Sequence, residues 1–204
     1  LPAYFLRKRV NAMAYATQME AARNSVITKE MEAAAAKEGI APAELMRQMA
    51  EGRAIIPCNK LHKSISPSAV GAALKTKINV NLGTSRDMTD MEMEFAKVKS
   101  AVDMGAEAIM DLSSFGDTRK FRRYLTENCP AMIGTVPIYD AVVYYHKPLA
   151  QITTDEWIDI VRMHAEDGVD FMTIHCGHNR DNAAKYKRNK PLTNLLPRGG
   201  PPMC

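Results

Sequence analysis

From about residue 76 onward the chain repeats one rhythm: a short apolar run, a turn of small or polar residues, then a stretch with apolar side chains every three or four positions. The runs Lys77 to Leu82, Ala108 to Asp111, Met132 to Thr135 and Val169 to His175 predict strands, and Leu195-Leu196 predicts a fifth. Between the first two, Met91, Phe95, Val98 and Val102 make one helical stripe behind a Thr89-x-x-Glu92 capping box, ending at Gly105. The next helix begins at Asp117 or Thr118, buries Phe121 and Leu125, and stops before Pro130. After a longer segment, Val136 to Asp140, a third helix opens on the capping box Thr153-x-x-Glu156. It places Trp157, Ile160, Val161 and His164 on one face and ends at Gly168.

Strands alternating with helices predict a parallel sheet, closed either as a doubly wound sheet or as a (β/α)8 barrel. No G-x-G-x-x-G follows the first strand, which removes support for a dinucleotide-binding sheet. Polar residues stand at the C-terminal strand ends, Asn81, Asp111, Tyr139 and His175, where a barrel builds its active site. Four or five units make about half of a barrel. The expected fold class is α/β, a helical cap region followed by a parallel sheet, with strand-end polarity favouring the barrel closure over the doubly wound one.

Residues 13–75 have a different texture. Gln18 to Lys37 is rich in Ala, Glu and Met with no Pro or Gly, and predicts one helix. A second starts at Pro42 and runs to Glu51 before Gly52, and Ala54-Ile55-Ile56 predicts a short strand ending at Pro57.

Composition narrows the function classes. The formal charge of +4 is spread along the sequence, and of its basic clusters, Arg7 to Arg9, Arg119 to Arg123 and Lys185 to Lys190, the longer two are interrupted by apolar or neutral residues. These read as solvated faces, because no aromatics are interleaved for base stacking, so nucleic acid is not an expected partner. No apolar run reaches the roughly 20 residues of a membrane span, and the basic cluster follows the first apolar residues instead of preceding them as in a signal peptide. A cytoplasmic protein without a membrane partner is the expectation. Cys58, Cys129, Cys176 and Cys204 are dispersed without a C-x-x-C pair, which predicts reduced thiols. Most of the 14 methionines fall at core-like positions.

The candidate chemistry is sparse. His175-Cys176-Gly177-His178 has metal-binding residue types, but without partner ligands it reads as a polar strand end, and Cys176 as a packed thiol. His164, on the stripe with Trp157, reads as a hydrogen-bonded interior histidine. Asn81 lies between apolar residues, so its amide is either satisfied inside the protein or faces a pocket. Met110 reads as core. Arg198-Gly199-Gly200 has the composition of a phosphate-binding turn.

The stretches TQMEAARNSVITKEM, AEGRAIIPCNKLHKSISP, TKINVNLGTSRD, AIMDLSSFGD, GTVPIYDA, EDGVDFMTIHCG and LTNLLPRGG, in this order, resemble the phosphomethylpyrimidine synthase family of thiamine biosynthesis. The resemblance runs from about Ala14 to Gly200 and implies a (β/α)8 catalytic domain, of which this chain is expected to hold the helical cap region and the first half of the barrel, truncated. It also implies a radical rearrangement of aminoimidazole ribotide to hydroxymethylpyrimidine phosphate, using S-adenosylmethionine and a four-iron, four-sulfur cluster. It assigns substrate contacts to Asn81, Met110, Tyr139, His175, Arg198 and Gly199, overriding the core reading of Met110. Pro197 replaces the serine expected beside Arg198, removing an N–H and a hydroxyl, and His178 has no assigned role. The cluster-ligating cysteines and the zinc histidines of the family are expected beyond Gly200, and the family implies a homodimer. Residues 1–12 are expected to be an extension outside the match, and residues 201–204 a non-matching tail. Two other readings stay open: the related 5-hydroxybenzimidazole synthase, which starts from the same ribotide, and a catalytically inactive binding or scaffold fragment.

Overall fold

The structure, a computed structural model, describes residues 15–176 and Asp181. The described chain divides into two compact units, one ending at Ile56 and including Ala69–Leu74, the other comprising Pro57–Ser68 and the residues from Lys75 on.

The first unit holds α1 (Gln18–Arg23), α2 (Lys29–Glu38), α3 (Pro42–Ala50) and an antiparallel pair, β1 (Ala54–Ile55) with β2 (Val70–Gly71). The single helix expected over Gln18 to Lys37 is two. Ser25 takes a left-handed φ of 58°, and the amides of Ser25 and Val26 bond back to the carbonyls of Ala22 and Ala21 at 3.0 and 2.9 Å. This closes α1 in a Schellman motif. The β-branched run Val26-Ile27-Thr28 then leaves helical geometry, and the Thr28 hydroxyl caps α2 by accepting from Met31 N at 3.1 Å. Ala21, Ala22, Met31, Ala34, Ala35, Leu45 and Met49 form its buried apolar interior.

The second unit is an α/β assembly. Its sheet contains β3 (Asn79–Leu82), β4 (Ala108–Asp111), β5 (Met132–Thr135) and β6 (Phe171–Met172), adjacent in chain order and all parallel. The connecting helices are α4 (Met91–Asp103), α5 (Thr118–Asn128), α6 (Pro137–Tyr145) and α7 (Thr154–Glu166). Three local expectations shift. The cap of α4 is Asp90, which accepts from Met93 N, and not Thr89. The segment from Val136 becomes α6, because Pro137 suits a first helical position. The fourth strand is confined to Phe171–Met172. The predicted strand at Leu195-Leu196 lies outside the described residues. Among the described residues, no helix is long and apolar enough to cross a membrane.

Strand alternation sorts the sheet into two faces. Val80, Ile109 and Ile133 share a row and pack with Val98, Ala101, Phe121 and Leu125 of α4 and α5. Burying each large apolar side chain here contributes about 1.5–3 kcal/mol. On the opposite face, Asn81, Met110, Gly134 and Phe171 stand side by side in register. Gly134 is required in that row: a Cβ there would lie 2.3 Å from Cζ of Phe171, whose ring crosses the strand.

The charged run Arg119 to Arg123 is not one solvated face. Thr118, Phe121, Arg122, Leu125 and Thr126 are the buried side of α5, and Arg122 is 1% exposed. Its spacing from Phe121 and Leu125 puts it on the apolar stripe, where it is paired instead of solvated. Met31, Met49, Met132 and Met163 are core residues as expected and Met110 is buried as well, while Met88, Met93 and Met104 are exposed.

Candidate functional site

Four of the six predicted site residues lie where β3, β4, β5 and β6 end. Asn81 and Met110 are register partners on adjacent strands. Met110 is 9% exposed and packs in one apolar cluster with Val136 and Ile138, against which Tyr139, Trp157 and Phe171 also rest. It is thus a core residue that also floors this face. Tyr139 lies in the first turn of α6, half-buried, with its ring centroid 6.2 Å from that of His175. His175 is half-buried, and its Nδ1 is fully covered and has no hydrogen-bond partner among the described residues. A buried ring nitrogen without a partner costs about 1–3 kcal/mol, so this atom is suited to meeting a ligand group. Asn81 is exposed, which corrects the alternative of an amide satisfied inside the protein; β3 is an edge strand among the described residues, so its side chain reaches solvent. Arg198, Gly199, Pro197 and His178 lie outside the described residues.

The turns below these residues are held by the strand-end carboxylate Asp111 and by Glu94, a helix residue that the sequence pattern did not single out. The β3 turn passes so close to the β4 turn that a Cβ on Gly83 would lie 2.5 Å from Ser113 N. Glu94, fully buried on α4, accepts from Gly83 N at 2.8 Å and pairs with Lys97 at 2.6 Å. Ser113 N donates to Asp111 Oδ1 at 2.9 Å, and Thr84 N to Ser113 Oγ at 3.1 Å.

Burial pushes the Asp111 carboxyl up to about 6, against the opposing hydrogen bonds from Ser113 and the Arg122 charge. A raised carboxyl favours folding most below its ordinary value of 3.8, and that contribution is lost as the pH rises through about 6. Asp111→Asn retains an oxygen for Ser113 N and removes the buried charge. We expect it to stabilise the fold at pH 8 by about 2–3 kcal/mol. In urea titrations the gain should shrink steadily as the pH is lowered towards 4, and a pH-independent difference would refute the assignment.

Behind β5 lies a buried polar network. Arg122 donates to Asp140 Oδ2 at 3.1 Å and, from Nη2 and Nε, to Asp167 Oδ2 at 3.0 and 3.2 Å. Asp167 also pairs with Arg123 at 2.8 Å and Arg119 at 3.1 Å. Asp140 accepts further from the Thr118 hydroxyl and from His164 Nε2, the latter at 2.9 Å. Burial works to raise both carboxyls. It is outweighed at Asp140 by the His164 hydrogen bond and the Arg122 charge, and at Asp167 by Arg123, Arg122 and Arg119, so both lie below their ordinary range. His164 is held down by burial, against the Asp140 hydrogen bond that raises it. His164 is the hydrogen-bonded interior histidine that its stripe predicted, 2% exposed.

Metal chemistry does not fit the described side chains. Among them, no group of three or more His, Cys, Asp or Glu residues could hold a metal ion. Cys129 is buried at the end of α5 and its thiol is pushed up by burial. Cys176 is exposed, correcting its reading as a packed thiol: β6 ends at Met172, so the residue lies beyond the paired backbone. A four-iron, four-sulfur cluster takes several convergent thiolates, which Cys58, Cys129 and Cys176 do not bring together.

Comparison with known proteins places this geometry. The model of the radical SAM ThiC family matches residues 17–204. A phosphomethylpyrimidine synthase of Clostridium tetani is 54% identical over 197 residues, 97% of this chain and 43% of the relative. Those of Clostridium perfringens and Pelotomaculum thermopropionicum are 57% and 55% identical over 188 residues, 92% of this chain. The chain therefore spans 43–44% of the length of these curated relatives. A match through nearly all of the chain, at more than half identity, includes the strand ends just described, and the chain belongs to the radical SAM ThiC family.

Proposed function

We propose that this chain supplies part of the substrate site of a phosphomethylpyrimidine synthase, the enzyme that converts aminoimidazole ribotide to hydroxymethylpyrimidine phosphate. The observation that carries the reading is the 54–57% identity, along almost the whole chain, to relatives bearing that name. Those names favour the pyrimidine product over the benzimidazole one. The four parallel strands in chain order support reading the second unit's sheet as an arc of a (β/α)8 barrel. The reading includes a homodimer acting in the cytoplasm.

In this site the ribotide lies over Met110. The exposed Asn81 amide offers it one donor and one acceptor, the Tyr139 hydroxyl and His175 Nδ1 bond its polar edge, and Arg198 with the Gly199 amide meets its phosphate. S-adenosylmethionine with an iron–sulfur cluster would supply the radical and zinc a further metal centre, on ligands other than the described residues. What these residues contribute is orientation and exclusion of water, which a reactive intermediate requires to avoid side reactions.

The test is calorimetric titration of aminoimidazole ribotide into the 204-residue chain and its Asn81→Ala variant. Saturable binding is expected, weakened about tenfold by the loss of the amide's hydrogen bonds. Because Asn81 is exposed, the melting temperature should not change. No binding by the unaltered chain, or equal affinity in both proteins, would overturn the reading.

A further inference from the structure

We infer that His164 is a positioning residue for Tyr139, acting by tying the end of β5 to the first turn of α6. The inference rests on the substrate-binding role of Tyr139 proposed above. The Thr135 hydroxyl donates to His164 Nδ1 at 2.8 Å, and His164 Nε2–H donates to Asp140 Oδ2 at 2.9 Å. With Nε2 facing a carboxylate, Nδ1 is left as the acceptor, so the neutral ring bridges a hydroxyl and a carboxylate.

The two ends of that bridge bracket Tyr139. Thr135 is the last residue of β5 and is paired on both sides, with Asp111 and with Met172. Only Val136, Pro137 and Ile138 separate it from Tyr139, and Asp140 follows. The start of α6 packs its apolar residues but has no capping bond: Val136 makes no side-chain cap, and Pro137 has no N–H to give. Asp140 supplies the missing anchor, accepting from Thr118, Arg122 and His164. Of these donors His164 alone, among the described residues, also grips the strand. Its own placement is firm, since it sits beside the buried Ile160 and Met163 on α7. One imidazole thus sets the direction in which the chain leaves the sheet, and with it the place of the Tyr139 hydroxyl.

The experiment places 3-fluorotyrosine at position 139 of the 204-residue chain and reads its 19F resonance without ligand, alongside ribotide titrations. His164→Phe, which fills the volume and bonds neither neighbour, should shift or broaden the resonance. His164→Gln, which retains a donor towards Asp140, should bring it back towards its original position. His164→Phe should weaken ribotide binding about tenfold with Tyr139 present and leave it unchanged in a Tyr139→Phe background, the non-additivity expected of residues acting as a unit. A merely structural histidine would lower the melting temperature, leave the resonance in place and weaken binding equally in both backgrounds; either of the last two results overturns the inference. If His164→Phe does not fold, Thr135→Val cuts the strand end of the bridge and is read in the same way. If the resonance moves but the unaltered chain binds no ribotide, the substrate reading fails and the positioning contact stands. If ribotide binds and the resonance stays in place, the inference alone fails.

Discussion

Arg122→Met is expected to cost about 3–5 kcal/mol of folding stability, the loss typical of breaking a buried ion pair by removing one partner. The guanidinium is the shared donor to Asp140 and Asp167, both of which are buried carboxylates. Arg119 and Arg123 can still reach Asp167, but Asp140 keeps only the neutral Thr118 and His164. Methionine fits the apolar stripe of α5, so the loss reports electrostatics more than packing. Arg122→Lys should recover only part of it, because a single ammonium cannot reproduce the guanidinium's spread of donors. The carboxyls of Asp140 and Asp167 lie below their ordinary value in the folded protein. Their contribution is therefore present above that value and lost as the pH falls through the folded one. In the variant that acid dependence should flatten. Urea unfolding at pH 7 and in acid measures both effects, and a loss below about 1 kcal/mol would contradict the network's role.

Asp170→Ala is expected to be comparably damaging, again about 3–5 kcal/mol. The Asp170 carboxylate accepts at 2.7 Å from each of three donors, Asn59 N, Ile133 N and His62 Nδ1. Nε2 of the same ring lies 2.8 Å from the Cys129 carbonyl oxygen. These bonds fasten the segment from Pro57 to Ser68 to the start of β6 and to β5, and the side chains of Asp170 and His62 are wholly buried. Removing the carboxylate orphans two backbone amides and an imidazole at once. Hydrogen exchange should then accelerate first at Asn59 and Ile133, while Asp170→Asn, which keeps one acceptor oxygen, should lose less. Unchanged exchange at these two amides in Asp170→Ala would refute the clasp.

Both predictions concern side chains whose importance local sequence pattern does not reveal. Arg122 looked like one cation in a basic cluster, although its offset from Phe121 and Leu125 already placed it on the buried stripe. His62 and Asp170 are 108 positions apart, and no periodicity links residues at that distance. Thr135, Asp140 and His164 likewise meet only because β5, α6 and α7 pack together. The break at Ser25 is hidden from sequence pattern for a different reason. Helix propensity over the first unit is high enough to predict continuity, whereas the Schellman closure and the Thr28 cap depend on hydrogen bonds that propensity does not count.

The local order of the second unit and the family are legible in the residues alone. The strands at Ala108–Asp111 and Met132–Thr135, the Thr153–Glu156 capping box and the Phe121–Leu125 stripe are written in nearest-neighbour chemistry and period, and the structure reproduces them. Long ordered motifs identified the family, because they fix many side chains together. Packing, and not pattern, makes Asn81 reach solvent while Met110 beside it is covered, leaves His175 Nδ1 buried with no partner among the described residues, and lets one histidine span the turn carrying Tyr139. Burial and hydrogen-bond satisfaction are properties of what surrounds a residue, and in this sheet the surroundings come from strands and helices distant in the chain.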